Sequence, residues 1–86
     1  MNRNIADTVV RFLGRHVAIE VPVVPTLDLV EDLKLDSLDQ LAFVVELENH
    51  FRICVEPSDE ASLSTLGDVV ALVERRLAVG PEAAHV

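Results

Sequence analysis

The chain contains no Trp, no Tyr and only three Phe among its 86 residues, and it has a single cysteine. Its core must therefore consist mainly of Leu, Val, Ile and Ala, and one domain of this length buries only about 60–65% of the unfolded surface. A lone cysteine forms no internal disulfide, and without a leader-like opening stretch it indicates a reducing, cytoplasmic setting. We expect Cys54 to be a half-buried filler rather than a catalytic thiol.

Basic residues are also scarce, because seven Lys and Arg stand against 15 Asp and Glu, for a formal net charge of −8. Such a chain repels phosphate backbones and lacks an aromatic, basic surface for base stacking, so we expect no nucleic-acid binding. Ten of the acidic residues and only two of the basic ones lie between residues 28 and 60. This acidic region is either a solubilising surface or a docking surface that attracts basic partners.

No uninterrupted apolar run approaches the ~20 residues that span a bilayer. Glu20, Pro22 and Pro25 interrupt the most hydrophobic stretch, so we expect no stable membrane insertion. The same prolines exclude a regular helix there and predict a long connection whose Leu and Val side chains are anchored on the core.

Helical spacing of apolar residues predicts three substantial helices and one short one. The first spans about residues 4–17, and the second runs from residue 37 to residue 50 or 51. A single helical turn is expected over residues 58–63. The last helix begins near Thr65, which forms an acidic variant of the capping box with Asp68.

The apolar spacing also predicts which side of each helix is buried. In the first helix the buried side consists of Ile5, Val9, Phe12, Leu13 and Val17. In the second helix it consists of Leu41, Val44, Val45, Leu47 and Phe51, and the outward side consists of Asp39, Ala42, Glu46 and Asn49. In the last helix it consists of Leu66, Val69, Val70, Val73 and Leu77.

These elements predict an all-α fold, a small four-helix bundle with a long loop between the first two helices. Short strands over residues 17–21 and 52–55 remain a weaker alternative. We expect a single domain over residues 1–79 and a flexible C-terminal tail over residues 80–86, which opens with a Gly-Pro stop signal.

Ser37 stands at the head of the second helix and allows two interpretations. In the first it is only a cap, whose oxygen accepts from the amide of Gln40 while the Gln40 side chain reaches back to the Ser37 amide. In the second, Asp36 is the cap, and Ser37 is free in the first turn, where exposed amides and the helix dipole stabilise a phosphoester. The spacing is compatible with both.

Ser37 lacks the surroundings of an activated nucleophile, because no G-x-S-x-G elbow encloses it. The three histidines are His16, His50 and His85, and their spacing does not suggest a metal site. We therefore expect neither a serine hydrolase nor a metal centre, and His16 and His50 are expected at the surface.

The segment DLKLDSLDQLAFVVELENHF resembles the acyl carrier proteins, whose pattern joins a D-S-L triplet to an acidic helix with a Phe at its end. The matching residues are Asp32, Leu33, Asp36, Ser37, Leu38, Asp39, Leu41, Leu47, Glu48 and Phe51. The segment SDEASLSTLGDVVALVERRL is similar to the short third helix and the closing helix of the same family. The resemblance covers about residues 3–78.

This resemblance implies a carrier that catalyses nothing itself. A phosphopantetheinyl transferase would attach 4'-phosphopantetheine from coenzyme A to Ser37, between Asp36 and Leu38, and the thiol of that arm would hold acyl groups as thioesters. The other implied partners are enzymes with basic surfaces that load or consume acyl groups in fatty-acid, polyketide or another specialised pathway. A monomer is expected. The residues expected to dock these enzymes are Asp39, Val45, Glu46 and Glu48.

The chain departs from the family pattern at three places. Lys34 stands where a glycine is usual, which restricts the turn before Ser37 and brings a cation near the expected phosphate. Ala42 replaces an acidic residue common in fatty-acid carriers, which favours a dedicated pathway over general fatty-acid synthesis. Glu56 and Pro57 reverse the usual order of proline and acid, so the third helix is expected to start a residue later.

The competing hypothesis is an unmodified helical interaction module of similar fold, in which Ser37 is a cap and the acidic face binds one basic partner. It predicts no phosphopantetheine addition. It also predicts that Ser37→Ala lowers the free energy of unfolding by about 0.5–2 kcal/mol.

Overall fold

The computed structural model describes residues 3–79 and contains four α-helices there, which confirms the predicted all-α bundle. In chain order the helices are α1 (Arg3–Leu13), α2 (Ser37–Phe51), α3 (Pro57–Ala61) and α4 (Leu66–Val79). Within these residues the alternative strands are absent, and the β-type pairing is an isolated bridge between Asp28 and Thr65. No helix in the described part of the chain is long and apolar enough to cross a membrane. The tail predicted over residues 80–86 lies outside the described residues.

α1 packs against α2 and α4 through most of its predicted side. The side chains buried there are Ile5, Ala6, Val9, Phe12 and Leu13. The helix ends at Leu13 rather than near residue 17, because the amides of Arg15 and His16 bond to carbonyls only three residues back. These tighter turns close the helix.

α2 spans the predicted residues, but its buried side is rotated relative to the prediction. Val44 and Leu47 are buried as expected, and Phe43, which the spacing does not assign to this side, is completely buried. The prediction that Leu41 and Val45 are buried is wrong, because they are 49% and 45% exposed. The side of α2 that carries Phe43 therefore faces the core, and the apolar side chains of Leu41 and Val45 face solvent.

The long connection between α1 and α2 is fastened to the rest of the fold. Its buried leucines are Leu27, Leu29, Leu33 and Leu35, which confirms the predicted anchoring for the leucines. The predicted anchoring of the valines is wrong, because the exposed side chains of the connection include Val21, Val23, Val24 and Val30. The amide of Leu29 donates to the carbonyl of Ser64, and the amide of Leu66 donates to the carbonyl of Leu27, both at 2.9 Å. These bonds hold the segment that leads into Ser37 against the start of α4.

α4 begins with the predicted reciprocal cap. The Thr65 amide donates to Asp68 Oδ2 at 3.1 Å, and the Asp68 amide donates to Thr65 Oγ1 at 3.2 Å. The predicted buried side is confirmed except at one position, because Leu77 is 41% exposed. Leu72, which the spacing does not assign to that side, is buried.

α3 buries none of its own side chains, so other contacts hold it in place. Pro57 occupies its first position, where the missing amide hydrogen costs nothing. The helix covers Pro57–Ala61 rather than the predicted residues 58–63. The Asp59 carboxylate accepts a hydrogen bond from Arg76 and lies 3.7 Å from Arg75 Nη2, both on α4. Cys54, which precedes α3, is exposed rather than half-buried.

The contacts of Asp59 change its acidity. Burial by itself raises the pKa of Asp59, but hydrogen bonds from Arg76 and from the Glu56 amide, with the positive charges of Arg76 and Arg75, lower it below 3.8. A carboxylate whose folded-state pKa is lowered stabilises the fold fully above its unfolded pKa. That contribution is lost as the pH falls through the folded pKa.

We expect Asp59→Asn to lower the free energy of unfolding at pH 7 by about 1 kcal/mol or less, because solvent screens a pair that stays partly exposed. The difference from wild type should shrink below about pH 4, where the unfolded carboxyl is protonated. Urea unfolding at pH 7 and pH 3 measures both effects. Glu60→Gln on the same helix is the control, and a loss for Asp59→Asn that does not change with pH would contradict the assignment.

Candidate functional site

The Ser37 hydroxyl lies at the first residue of α2 and takes no part in capping it. The cap is Asp36, whose Oδ1 accepts from the Asp39 amide at 2.8 Å and whose carbonyl accepts from the Gln40 amide at 2.9 Å. Of the two interpretations, the one with Asp36 as the cap is confirmed. Ser37 is exposed, and no group within residues 3–79 hydrogen-bonds to its hydroxyl.

The start of α2 fits a phosphate ester at this hydroxyl. Within the described residues, the amides of Ser37 and Leu38 have no hydrogen-bond acceptor. Unpaired amides in the first turn and the positive end of the helix dipole both favour an anion. An exposed hydroxyl beside two free donors can therefore hold a phosphate-linked group without disturbing a contact of the fold.

Lys34 adopts a left-handed backbone, with φ of 58°, in the turn that leads into α2. Its neighbours Leu33 and Leu35 are buried, and the Leu35 amide bonds to the Leu29 carbonyl at 3.1 Å, so the turn is held on both sides. This conformation costs a residue with a Cβ about 1–2 kcal/mol and costs glycine little. The backbone angle explains why glycine suits the position and shows that Lys34 strains the turn.

We expect Lys34→Gly to be more stable than Lys34→Ala by about 1 kcal/mol, because both remove the charge but only glycine relieves the left-handed backbone. The greater freedom of glycine in the unfolded chain offsets part of this gain. Thermal unfolding of the two variants measures the difference. Equal stabilities would mean that Lys34 does not strain the turn.

An apolar ridge runs along the solvent side of α2 from the residue next to Ser37. Leu38 is 75% exposed, and Leu41 and Val45 follow at helical spacing on the same side. We call these three residues the α2 ridge. Val45, which was expected to dock partners, lies on this ridge, and the exposed residues Ala42 and Asn49 beside it are uncharged.

The three acidic residues expected to dock partners differ in their availability. Asp39, in the first turn of α2, has a side chain that is 39% exposed. Glu46 accepts hydrogen bonds from Arg15 Nη1 at 3.0 Å and from His16 Nε2 at 2.5 Å. Glu48 Oε2 accepts from the Val55 amide at 3.1 Å. Both glutamates are thus engaged within the fold, and the side chain of Asp39 is more exposed than that of Glu46, 39% against 26%.

Arg15 and His16 also belong to this surface, which sequence analysis did not predict. The His16 ring lies between two carboxylates of α2, with Nδ1 4.0 Å from Asp39 Oδ1 and Nε2 bonded to Glu46. Its side chain is 16% exposed, so His16 is half-buried at this surface rather than fully exposed. The Arg15 guanidinium lies 4.9 Å from the centre of the Phe12 ring. The two contacts with Glu46 join residues 31 and 30 positions apart, which no local pattern reveals.

A free serine hydroxyl at the positive end of the second helix of a four-helix bundle is compatible with a small carrier domain for a phosphate-linked group. A family model described as "Phosphopantetheine attachment site" matches residues 3–73. An acyl carrier protein from Exiguobacterium sp. (strain ATCC BAA-1283 / AT1b) is 34% identical over 74 residues, which are 86% of this chain and 90% of that protein. A solved structure from Mycobacterium tuberculosis, described as an acyl carrier protein, has a TM-score of 0.71 and 27% identity and covers 87% of this chain and 96% of that one. The chain therefore belongs to the acyl carrier protein family.

Membership of this family determines the class of activity. The protein is a carrier and not an enzyme, and its prosthetic group is covalently attached 4'-phosphopantetheine. The family implies interaction with a phosphopantetheinyl transferase and with enzymes that handle acyl groups. Within residues 3–79, no group of three or more His, Cys, Asp and Glu side chains is arranged to hold a metal ion.

Proposed function

We propose that Ser37 is the residue that bears 4'-phosphopantetheine, and that the protein presents acyl intermediates on this arm to enzymes of a dedicated biosynthetic pathway. The observation that supports the attachment most directly is the exposed hydroxyl of Ser37, which no residue from 3 to 79 engages. Asp36 supports it too, because it caps α2 and so leaves that hydroxyl available.

The residues around Ser37 would hold the phosphate rather than react with it. The amides of Ser37 and Leu38 are free to donate to phosphate oxygens, and the helix dipole favours the negative charge. Lys34 adds an exposed cation shortly before the helix. The attached arm supplies a terminal thiol, which holds an acyl group as a thioester while partner enzymes carry out the chemistry.

The proposal of a dedicated pathway, rather than general fatty-acid synthesis, rests on Ala42. It is exposed on α2 where many fatty-acid carriers have an acidic residue, so a contact that those partners use is missing. We further propose a monomeric domain over residues 1–79 in the cytoplasm, where the exposed thiol of Cys54 would stay reduced. The acyl group that remains attached when the protein is purified from its own cells, identified by mass spectrometry, tests the pathway.

Incubation of the purified protein with coenzyme A and a broad-specificity phosphopantetheinyl transferase tests the attachment itself. Intact-mass spectrometry should show one phosphopantetheine added per chain. An unchanged mass, in a sample that still shows helical circular dichroism and cooperative unfolding, would contradict the proposal. That outcome is the one expected of an unmodified interaction module.

A further inference from the structure

The solvent side of α2 carries unexpectedly little charge for so acidic a protein. Its exposed residues beyond the first turn are the ridge residues Leu41 and Val45, together with Ala42, Asn49 and His50, and none of them is acidic. Glu48 is half-buried and bonded to the Val55 amide. The more accessible negative charge lies at the start of α2, where the exposed Asp36 precedes Ser37 and Asp39, whose side chain is 39% exposed, follows it.

Glu46 would extend the negative charge along α2, but two residues of the turn that follows α1 pair with it. Its two carboxylate oxygens accept from different residues, Oε2 from Arg15 and Oε1 from His16. Only 26% of the Glu46 side chain is exposed, whereas 60% of the Arg15 side chain is. A molecule approaching this part of α2 therefore meets the arginine of the pair before the glutamate.

We infer that partner enzymes dock on the α2 ridge through an apolar patch, and that their cationic contact is confined to Asp36 and Asp39 beside Ser37. This inference rests on the proposed function of Ser37. Arg15 and His16 act as specificity-determining residues, because they remove Glu46 from the docking surface. A partner with a cation opposite residue 46 would meet Arg15, a like charge, and would be disfavoured.

The charge distribution supports this kind of partner. Surface charges separated by more than about 8–10 Å are largely screened at physiological salt, so only charges close to the contact attract a partner strongly. Here such charges lie at the Ser37 end, and the remaining contact area is apolar. A complementary surface on the partner enzyme is therefore apolar in its centre, and it is cationic only next to the opening that receives the arm attached to Ser37.

The test uses the transferase as the partner and measures kcat/KM for phosphopantetheine transfer from 0.05 to 0.5 M NaCl. The informative variant is Arg15→Gln/Glu46→Gln, which removes a pair of opposite charges and leaves the net charge unchanged. We expect its kcat/KM to stay within about twofold of wild type at every salt concentration. Asp39→Asn should lower kcat/KM about three- to tenfold at low salt and less at high salt, because one attractive contact is lost.

Two further variants complete the comparison. Arg15→Gln alone exposes the charge of Glu46 and should make kcat/KM depend more steeply on salt. Leu41→Gln should lower kcat/KM about five- to tenfold at all salt concentrations, because an apolar contact is not screened. Thermal unfolding of each variant verifies that the fold is intact.

The outcomes separate this inference from the proposed function. If the Arg15→Gln/Glu46→Gln variant loses as much kcat/KM as Asp39→Asn does, Glu46 is itself a docking residue and the inference is overturned. It is also overturned if Leu41→Gln has no effect. If wild type accepts no phosphopantetheine at all, it is the proposed function of Ser37 that fails.

Discussion

Ser37→Ala is expected to abolish the phosphopantetheine addition while leaving the free energy of unfolding within about 0.5 kcal/mol of wild type. The addition is lost completely because the phosphodiester is formed on a hydroxyl oxygen, which alanine lacks. Stability is retained because the amide of Asp39 is capped by Asp36 and not by Ser37. Intact mass after incubation with the transferase, and urea unfolding of the same sample, measure the two effects.

Asp36→Ala is the matched control, because it should show the opposite behaviour. It removes the cap of α2, which costs about 0.5–2 kcal/mol. It keeps the Ser37 hydroxyl, so the addition still goes to completion, although more slowly because the transferase loses its contact with Asp36. Two results would count against the assignment. One is an addition that persists in Ser37→Ala and is lost in a variant of another exposed serine, such as Ser58 or Ser64. The other is a stability loss in Ser37→Ala as large as that in Asp36→Ala.

Features that depend on neighbouring residues could be predicted from the sequence. The cap formed by Thr65 and Asp68 joins groups three residues apart, and the structure contains it as expected. The bounds of α2 follow in the same way from the polar residues before Ser37 and from the end of its apolar pattern. The choice between Ser37 and Asp36 as the cap was more difficult, because two adjacent residues have suitable oxygens and only the backbone position decides between them.

The buried side of α2 could not be predicted reliably, because apolar residues surround much of this helix. These residues are Leu38, Leu41, Phe43, Val44, Val45, Leu47 and Phe51. When so much of the circumference is apolar, a periodicity of 3.6 residues does not single out one side, and packing against the other helices decides. The error is informative, since the residues wrongly placed in the core, Leu41 and Val45, form the α2 ridge.

The pairing of Glu46 could not be predicted from the sequence either, for a different reason. Its partners Arg15 and His16 are separated from it by the whole connection between α1 and α2, so the contact exists only in the folded protein. Composition counts Glu46 among the acidic residues of a docking helix. In the folded protein Glu46 is paired with Arg15 and His16, so less negative charge is available along α2 than the composition indicates.

Phe43→Ala is expected to lower the free energy of unfolding by about 3–5 kcal/mol, because it leaves a cavity where a completely buried ring packs. A domain of this size has a total stability of about 5–10 kcal/mol, so the loss is a large fraction of it. The melting temperature should fall by about 15–30 °C, or the variant should be unfolded at room temperature. Circular dichroism during thermal and urea unfolding measures the change. Phe43→Leu, a milder change, should remain folded and lose about 1–1.5 kcal/mol.

Leu41→Ala is the control for Phe43→Ala, because it also shortens an apolar side chain of α2, only two residues away. With half of its surface already in solvent, Leu41 should contribute only about 0.5 kcal/mol to stability. Comparable losses for the two alanine variants would mean that α2 is rotated from the position found here, with Leu41 in the core and no exposed α2 ridge. A large loss of stability for Phe43→Ala alone would show that Leu41 lies outside the core. Its exposed surface is then available to a partner enzyme that docks next to Ser37.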